Sequence, residues 1–246
     1  MDSNDGIQAW DAAAGNYIDR IGWGGDSFDR RFAPFLTQQL GDANGKRVLD
    51  LGCGHGWLTG RLADSGADVV GVDGSSALIS AAQLAYPQVE FVIHDLTAGL
   101  PWRNRQFDCI VSHMVLMDLP DIAPLIADVT AALPPTGRFV FTILHPSFFG
   151  RQPVQDPATG TWSRHVNGYL SHEQRQVQSF GGHTHYHRPL SWYATILSEH
   201  RLAITGLDEP RTLPAHRRPE SEWSAYERWF ATIPTMIAVA CRRLPV

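Results

Sequence analysis

Three glycines stand at alternate positions directly after an apolar run, in the segment VLDLGCGHGWL (residues 48–58). They are Gly52, Gly54 and Gly56, and a segment with helical spacing follows at once. Glycine lets the backbone approach a ligand closely and adopt conformations that other residues disfavour. The first turn of a helix presents unpaired N–H groups and the positive end of its dipole. A polar or anionic ligand is therefore expected here, although an ordinary tight turn would explain the glycines alone.

Two carboxylates end the next two apolar runs. Asp73 ends ADVVGVD (residues 67–73), 17 residues after Gly56, and Asp95 ends VEFVIHD (residues 89–95). Open α/β sheets bind ligands at the carboxyl ends of their strands, where a carboxylate after the second strand can accept hydrogen bonds from ribose hydroxyls. Asp95 could bond an adenine amino group. Turn formation is the alternative role for both residues.

Three histidines alternate in SFGGHTHYHRPLSWY (residues 179–193). Because alternate residues of a strand point to one face, His183, His185 and His187 could line up and suggest a zinc site. They would span about 13 Å of a straight strand at about 3.3 Å per residue, whereas zinc ligands lie about 2 Å from the ion. One ion cannot hold all three, and we predict no metal site, although a pair with His165 or His172 stays open. His183, beside two glycines, is expected in a turn.

The elements that must position these residues follow from hydrophobic periodicity. Strand-length apolar runs alternate with segments of helical spacing, a pattern typical of a parallel α/β sheet with helices on both faces. Strands are predicted at 47–52, 67–73, 89–95, 107–113, 138–144, 202–210 and 235–244, and helices at 5–20, 26–40, 57–65, 75–85, 120–133 and 189–201. The fold class is therefore α/β, with a Rossmann-like, seven-stranded, mostly parallel sheet.

One domain is expected over residues 1–246, with a helical cap over 1–45 and a lid-like insertion over 146–188, where helical period is lost. The lid and the segment after it are rich in aromatic residues, which suggests an apolar, even aromatic, substrate beneath them; a small core within the lid is the alternative. These aromatic residues are Phe148, Phe149, Trp162, Tyr169, Phe180, Tyr186, Trp192 and Tyr193.

The composition disfavours several classes of partner and indicates the protein's compartment. The net charge is −5 and the 20 basic residues are scattered, which disfavours nucleic acid. No apolar run approaches the roughly 20 residues of a membrane span, and the acidic start is unlike a secretory signal, so a soluble, cytoplasmic protein is expected. Three widely spaced cysteines argue against a disulfide framework. A monomer or a homodimer is expected.

The ordered segments VLDLGCGHG, GVDGS, HDL, FDCIVSHMVLMDLPD and LPPTGRFVFTILHP resemble the motifs of class I S-adenosylmethionine-dependent methyltransferases, in their small-molecule branch. The match covers about residues 10–145 and, more weakly, the segments after 185. By this resemblance the glycine loop cradles the methionine part of the cofactor S-adenosylmethionine, and the second and third strand ends hold ribose and adenine. The implied cofactor-binding residues are Tyr17, Asp50, Gly52, Cys53, Gly54, Gly56, Asp73, Gly74, Asp95, Leu96, Ser112 and His113.

Within that set, the resemblance implies that Tyr17 folds over the cofactor and that Asp50 orients the loop or the cofactor's ammonium group. Ser112 and His113 would lie beneath the sulfonium, with His113 contacting it through its backbone. Relatives commonly carry a histidine in the segment written here as LMDLPD, so no catalytic role is carried over to Met117 or Asp118.

Methyl transfer is an in-line displacement in which the protein aligns two reactants and excludes water. A hydroxyl or carbon nucleophile would benefit from a base, and imidazole has a suitable pKa. The candidates are His145, directly after the fifth strand, and His185 and His187, near the expected acceptor. Packing or solvation is the alternative role for each. The sequence does not separate O-, N- and C-methylation.

Two other functions remain in competition. A nicotinamide-dependent oxidoreductase is disfavoured because the loop reads G-x-G-x-G and not G-x-G-x-x-G, with Asp50 inside the preceding strand. The alternative of a protein that binds S-adenosylmethionine without catalysis stays open, although the residues expected to contact an acceptor argue against it.

Overall fold

The computed structural model describes residues 3–22 and 26–245. The helices are α1 (Ser3–Ile21), α2 (Asp26–Arg31), α3 (Ala33–Leu40), α4 (Trp57–Asp64), α5 (Ser76–Ala85), α6 (Ala123–Ala132), α7 (Leu190–Glu199) and α8 (Ala225–Phe230). The strands are β1 (Arg47–Leu51), β2 (Asp68–Asp73), β3 (Glu90–Ile93), β4 (Cys109–His113), β5 (Arg138–Leu144), β6 (Pro153–Gln155), β7 (Trp162–Arg164), β8 (Glu173–Val177), β9 (His183–His187), β10 (Leu202–Asp208) and β11 (Met236–Arg243).

Seven of these strands form one sheet in the order β10–β11–β5–β4–β1–β2–β3. The five strands from β1 to β5 pair in parallel, and β11 runs antiparallel to both β5 and β10. The prediction of a Rossmann-like, seven-stranded, mostly parallel sheet is confirmed. Because β1 is central, its carboxyl end meets those of β2 and β4, and the ligand-binding edge forms there.

The apolar runs form buried strands because helices cover both faces of the sheet. Along β1, Leu49 and Leu51 pack into one core with Ile110 and Val129, whereas Val48 belongs to a second core on the opposite face. All five side chains are fully buried. Two such cores fix the orientation of every strand, since a shift of one residue would exchange the two faces.

The helix predicted over 26–40 is two helices, and that prediction was wrong in its continuity. Phe32 lies between α2 and α3 with φ −108° and ψ −39°. Pro34 follows two residues later and has no N–H to donate to the carbonyl of Arg30, so one continuous helix would lose a bond and gain a clash. The break turns Phe28, Phe32 and Phe35 into the core.

The segment from 146 to 188 forms two hairpins, β6–β7 and β8–β9, each a separate two-stranded sheet. In β9, His183 is the first residue and pairs with Val177, so its predicted place in a turn was wrong. The polar sequence of β8, EQRQV, lacks the apolar alternation that would have indicated a strand. Among the described residues, no helix combines the length and the apolar character needed to cross a bilayer.

Candidate active site

A cavity of about 390 Å³ opens at the carboxyl edge of β1 to β4. Its wall combines residues from α1, the glycine loop, the strand ends and the β8–β9 hairpin. Of the predicted cofactor residues, the wall contains Tyr17, Gly52, Gly54, Asp73, Gly74, Asp95, Leu96 and His113. The other four, Asp50, Cys53, Gly56 and Ser112, lie outside this wall, behind the loop and within the sheet.

The three glycines of the loop have different structural tasks. All have positive φ, of 69°, 55° and 81° for Gly52, Gly54 and Gly56, a region that other residues adopt at a cost. A Cβ on Gly52 would overlap the Val115 side chain, and one on Gly56 would come within 2.9 Å of Phe91. A Cβ on Gly54 would meet only ordinary contact, 3.4 Å from the Tyr17 ring. Gly54 therefore serves the cavity, Gly56 serves packing, and Gly52 serves both.

Asp73 ties the loop to the end of β2. One carboxylate oxygen accepts a hydrogen bond from the Gly54 N–H at 2.8 Å, and the other accepts one from the Ser75 N–H at 2.8 Å. Burial raises the pKa of Asp73, while these amide hydrogen bonds act in the opposite direction. A carboxylate offers about four acceptor sites, so Asp73 can also accept a hydrogen bond from a ligand's hydroxyl.

Asp50 supports the loop from below. It is 1% exposed, and its carboxylate accepts a hydrogen bond from Thr59 Oγ1 at 2.7 Å. Burial raises its pKa to about 7. Cys53 is also buried, and burial raises the pKa of its thiol. Ser112 Oγ is buried with no hydrogen-bond partner among the described residues.

The far wall carries Asp95, Leu96 and His113. One carboxylate oxygen of Asp95 accepts bonds from the Thr97 N–H and hydroxyl at 2.9 and 2.7 Å, which fixes the carboxylate at the cavity wall. His113 Nδ1 lies 2.8 Å from Thr142 Oγ1, and its ring stacks on Phe32 with centroids 4.9 Å apart. Burial lowers the pKa of His113 to about 3, so the ring is neutral at physiological pH.

Tyr17 and Phe180 pack against each other in the cavity wall. The Tyr17 ring meets Trp10 edge-on at 5.6 Å and Phe180 at 5.2 Å. Phe180 holds a left-handed backbone conformation, with φ 61°, in the turn between β8 and β9. A bulky residue in that conformation carries strain, which the contacts with α1 must offset. These contacts join α1 to the hairpin above the glycine loop.

The three predicted bases have different surroundings. His145 Nε2 lies 2.8 Å from Glu209 Oε1, and its Nδ1 accepts a bond from the Ser147 N–H at 3.2 Å. His187 Nε2 donates to the Tyr169 carbonyl at 3.0 Å, and burial lowers its pKa. Neither ring belongs to the cavity wall.

His185 also lies outside the wall but contacts two residues that form it. Its ring is 5.1 Å from the Phe149 ring, and its Nδ1 is 3.8 Å from Asp118 Oδ1. Burial lowers the pKa of His185 to about 4. The structure therefore connects this histidine to the cavity through a carboxylate.

Asp118 is the site residue that the sequence reasoning passed over. It ends the 3-10 helix Leu116–Asp118 after β4, and its side chain is only 8% exposed. Oδ1 lies 3.9 Å from His183 Nε2 and has no hydrogen-bond partner among the described residues. Burial raises the pKa of this carboxyl to about 7. A lone acid within the apolar segment MVLMDLP was the available signal.

Arg188 fixes the segment that carries Asp118. Its guanidinium donates to the carbonyls of Leu116, Leu119 and Pro120 at 3.1, 2.6 and 2.8 Å, and it packs over the Trp192 ring. In residues 3–22 and 26–245, no group of three or more His, Cys, Asp and Glu side chains could hold a metal ion.

A family model described as a methyltransferase domain matches residues 49–141, from β1 through most of β5. A solved S-adenosylmethionine-dependent methyltransferase of Mesorhizobium loti shares the fold with a TM-score of 0.70 and 26% identity, over 85% of this chain and 96% of that one. Residues 49–141 therefore match the methyltransferase domain family, and the fold of the chain is that of S-adenosylmethionine-dependent methyltransferases. The resemblance read from the motifs is thereby confirmed.

Curated relatives match about half of the chain. An uncharacterised methyltransferase of Synechocystis is 34% identical over 119 residues, which are 48% of this chain and 56% of that protein. A ubiquinone biosynthesis O-methyltransferase of Pasteurella multocida is 32% identical over 124 residues, 45% of this chain and 51% of that protein. The chain thus spans about half the length of the curated relatives it matches.

The cavity fits the cofactor of this family, S-adenosylmethionine. Gly54 presents a backbone without a side chain where a Cβ would stand against Tyr17 and the cavity. Asp73 and Asp95 place carboxylate oxygens at the ends of β2 and β3, where hydroxyl and amino donors of an adenosine can be bound. Tyr17 and Leu96 supply apolar surface between them.

Proposed function

We propose that this methyltransferase transfers the methyl group of S-adenosylmethionine to a small-molecule acceptor bound in the same cavity. The observation that carries the proposal is the continuity of that cavity, whose wall runs from Gly54 and Asp73 to Trp10, Phe149 and Tyr186. When bound, S-adenosylmethionine supplies an electrophilic methyl group on a sulfonium.

The chain's own residues bind and align the two reactants and exclude water. The glycine loop and the carboxylates of Asp73 and Asp95 hold the cofactor side. The β8–β9 hairpin covers the acceptor side, and the contacts of Phe180 with Trp10 and Tyr17 support the proposal that residues 146–188 act as a lid of a single domain. Effective alignment of this kind can lower a barrier by about 7–11 kcal/mol.

An apolar or aromatic acceptor suits this wall. The acceptor side presents the rings of Trp10, Phe149, Phe180 and Tyr186 and the side chain of Met117. The name of the Pasteurella relative, a ubiquinone biosynthesis O-methyltransferase, agrees with a small-molecule acceptor. We extend the proposal to action in the cytoplasm, which three free, buried cysteines support.

The surroundings of the three histidines distinguish them as candidates for a base. His145 and His187 have ring nitrogens engaged by Glu209 and by the Tyr169 carbonyl, which favours positioning roles. His185 lies against Asp118 and Phe149 at the cavity wall. Among the three histidines, these contacts favour His185 and the group around Asp118 as the place of a base.

The test is a screen of candidate acceptors with S-adenosylmethionine labelled on its methyl group. We expect label transfer to a phenolic or other apolar small molecule and loss of transfer in Asp73→Ala. Cofactor binding without transfer to any acceptor class would favour a non-catalytic binding protein.

A further inference from the structure

Asp118 presents a polar atom that the folded chain leaves unsatisfied. Its side chain is 8% exposed, it lies in the cavity wall, and Oδ1 has no hydrogen-bond partner among the described residues. The imidazole nitrogens of His183 and His185 are 3.9 and 3.8 Å away, too far for a hydrogen bond. A buried oxygen without a hydrogen-bond partner destabilises the fold. Because this oxygen lies beside a cavity, a ligand in the cavity can supply the missing donor.

We infer that Asp118 Oδ1 accepts the proton of a hydroxyl group on the acceptor, and that His183 and His185 position this carboxylate. This inference rests on the proposed function and specifies its substrate class as an aromatic alcohol, that is, a phenol. Asp118 thereby becomes a catalytic residue of the methyl transfer.

Asp118 follows a segment that packs against the glycine loop, which we propose holds the methyl donor. It ends the short helix that follows β4, three residues after Val115, whose side chain packs directly against Gly52 of the glycine loop. The wall beside it contains Phe149 and Tyr186, whose rings can flank an aromatic acceptor. An acceptor hydroxyl can therefore contact Asp118 and face the cofactor side at once.

The chemistry of a carboxylate selects a hydroxyl over an amine. An amine beside an ionised Asp118 would be stabilised as an ammonium, which has no lone pair for attack. A carboxylate acceptor would be repelled and has no proton to donate. A hydroxyl donates one hydrogen bond to Oδ1 and keeps its nucleophilic lone pair.

The transfer step balances with this assignment. The acceptor oxygen forms the new O–CH3 bond as the S–CH3 bond breaks, and the bonding pair returns to sulfur, so that the sulfonium becomes a neutral thioether. The hydroxyl proton passes to Asp118 Oδ1. Because the pKa of Asp118 is raised to about 7 by burial, it is a stronger base than an exposed aspartate and can release the proton again near neutral pH.

The test measures binding and does not depend on turnover. Full-length protein saturated with S-adenosylhomocysteine is titrated calorimetrically with 4-methylphenol and with 4-methylanisole, which lacks the hydroxyl proton. We expect 4-methylphenol to bind about 10- to 100-fold more tightly, as for a hydrogen bond to a charged group. In Asp118→Asn, which keeps the shape, the ratio should fall below about fivefold.

Asp121→Asn is the matched control, since Asp121 is exposed and only caps α6 through the Ala123 N–H. Its phenol-to-anisole ratio should equal that of the wild type. A ratio near one in the wild type, no binding of either probe up to about 5 mM, or a ratio unchanged in Asp118→Asn would each overturn the inference while leaving the methyltransferase proposal intact. Failure to bind S-adenosylhomocysteine would overturn that proposal itself.

The pH dependence of the ratio provides a second readout. It should rise between about pH 5.5 and 8.5 with a midpoint near 7, because only ionised Asp118 accepts strongly while the phenol stays neutral. The titratable or charged groups around Asp118 are His183, His185 and Tyr186 of β9, Arg188 after it and Tyr193 of α7. His183→Gln should raise the midpoint, because His183 lowers the pKa of Asp118; an unchanged midpoint would contradict its positioning role.

Discussion

The substitution Gly54→Ala should have different effects on the stability of the fold and on the affinity for the cofactor. Gly54 has φ 55°, and a Cβ there would lie 3.4 Å from the Tyr17 ring, so the methyl group overlaps nothing in the chain itself. The stability cost is then only that of alanine in the left-handed region, about 1–2 kcal/mol. For a chain of this length, that corresponds to a fall in Tm of roughly 2–8 °C.

The cofactor should respond more strongly than the fold. The added methyl group stands in the cavity wall beside Tyr17, where it takes up space that we assign to S-adenosylmethionine. Overpacking of a well-fitted site costs about 1–3 kcal/mol, or a loss of affinity of roughly 5- to 150-fold. Calorimetric titration with S-adenosylhomocysteine measures this loss directly.

Gly45→Ala is the matched control. Gly45 has φ 73°, a Cβ added there would meet nothing within 4 Å, and the residue lies before β1, outside the cavity wall. It should lose stability by about the same 1–2 kcal/mol and bind the cofactor product as the wild type does. If Gly54→Ala and Gly45→Ala bound S-adenosylhomocysteine equally well, the glycine loop would not be the cofactor cradle.

Three further outcomes follow from the structure. Arg188→Met should cost about 2–4 kcal/mol in urea unfolding, because three backbone carbonyls, that of Leu116 buried, lose a charged donor, and unchanged stability would contradict its anchoring role. Folding raises the pKa of Asp118, so the folded chain binds more protons than the unfolded chain between about pH 4 and 7. Relative to Asp118→Asn, the wild type should therefore lose roughly 1–4 kcal/mol of unfolding free energy from pH 5 to pH 8. A gain in stability over that range would refute the raised pKa. Phe180→Ala should speed dissociation of S-adenosylhomocysteine at least about fivefold in stopped flow by removing contacts with Trp10 and Tyr17, and an unchanged rate would argue against a lid.

The sheet and the cofactor loop could be predicted because their signals are local. Apolar runs of strand length predicted β1 to β5, and the spacing from Gly52 to Asp73 indicated that two strand ends are neighbours. Each of these depends on residues within one βαβ unit. The break at Phe32 also had a local signal, Pro34, but the aromatic spacing continued across it and favoured one long helix.

The acceptor side depends on contacts between distant parts of the chain. Asp118 meets His183 and His185 only after the β8–β9 hairpin folds over the end of β4. His145 was correctly expected after the fifth strand, but its partner Glu209 lies 64 residues further on. Periodicity carries no information about such pairings, so the carboxylate remained unassigned from sequence while its histidine neighbours drew attention.

The central claim is that this cavity binds S-adenosylmethionine, and calorimetry of the purified protein tests it most directly. S-adenosylmethionine and S-adenosylhomocysteine should each bind at one site per chain in the wild type and bind at least about tenfold more weakly in Asp73→Ala, which removes the carboxylate at the end of β2. Binding of NADH, with no binding of either sulfur compound, would contradict the account.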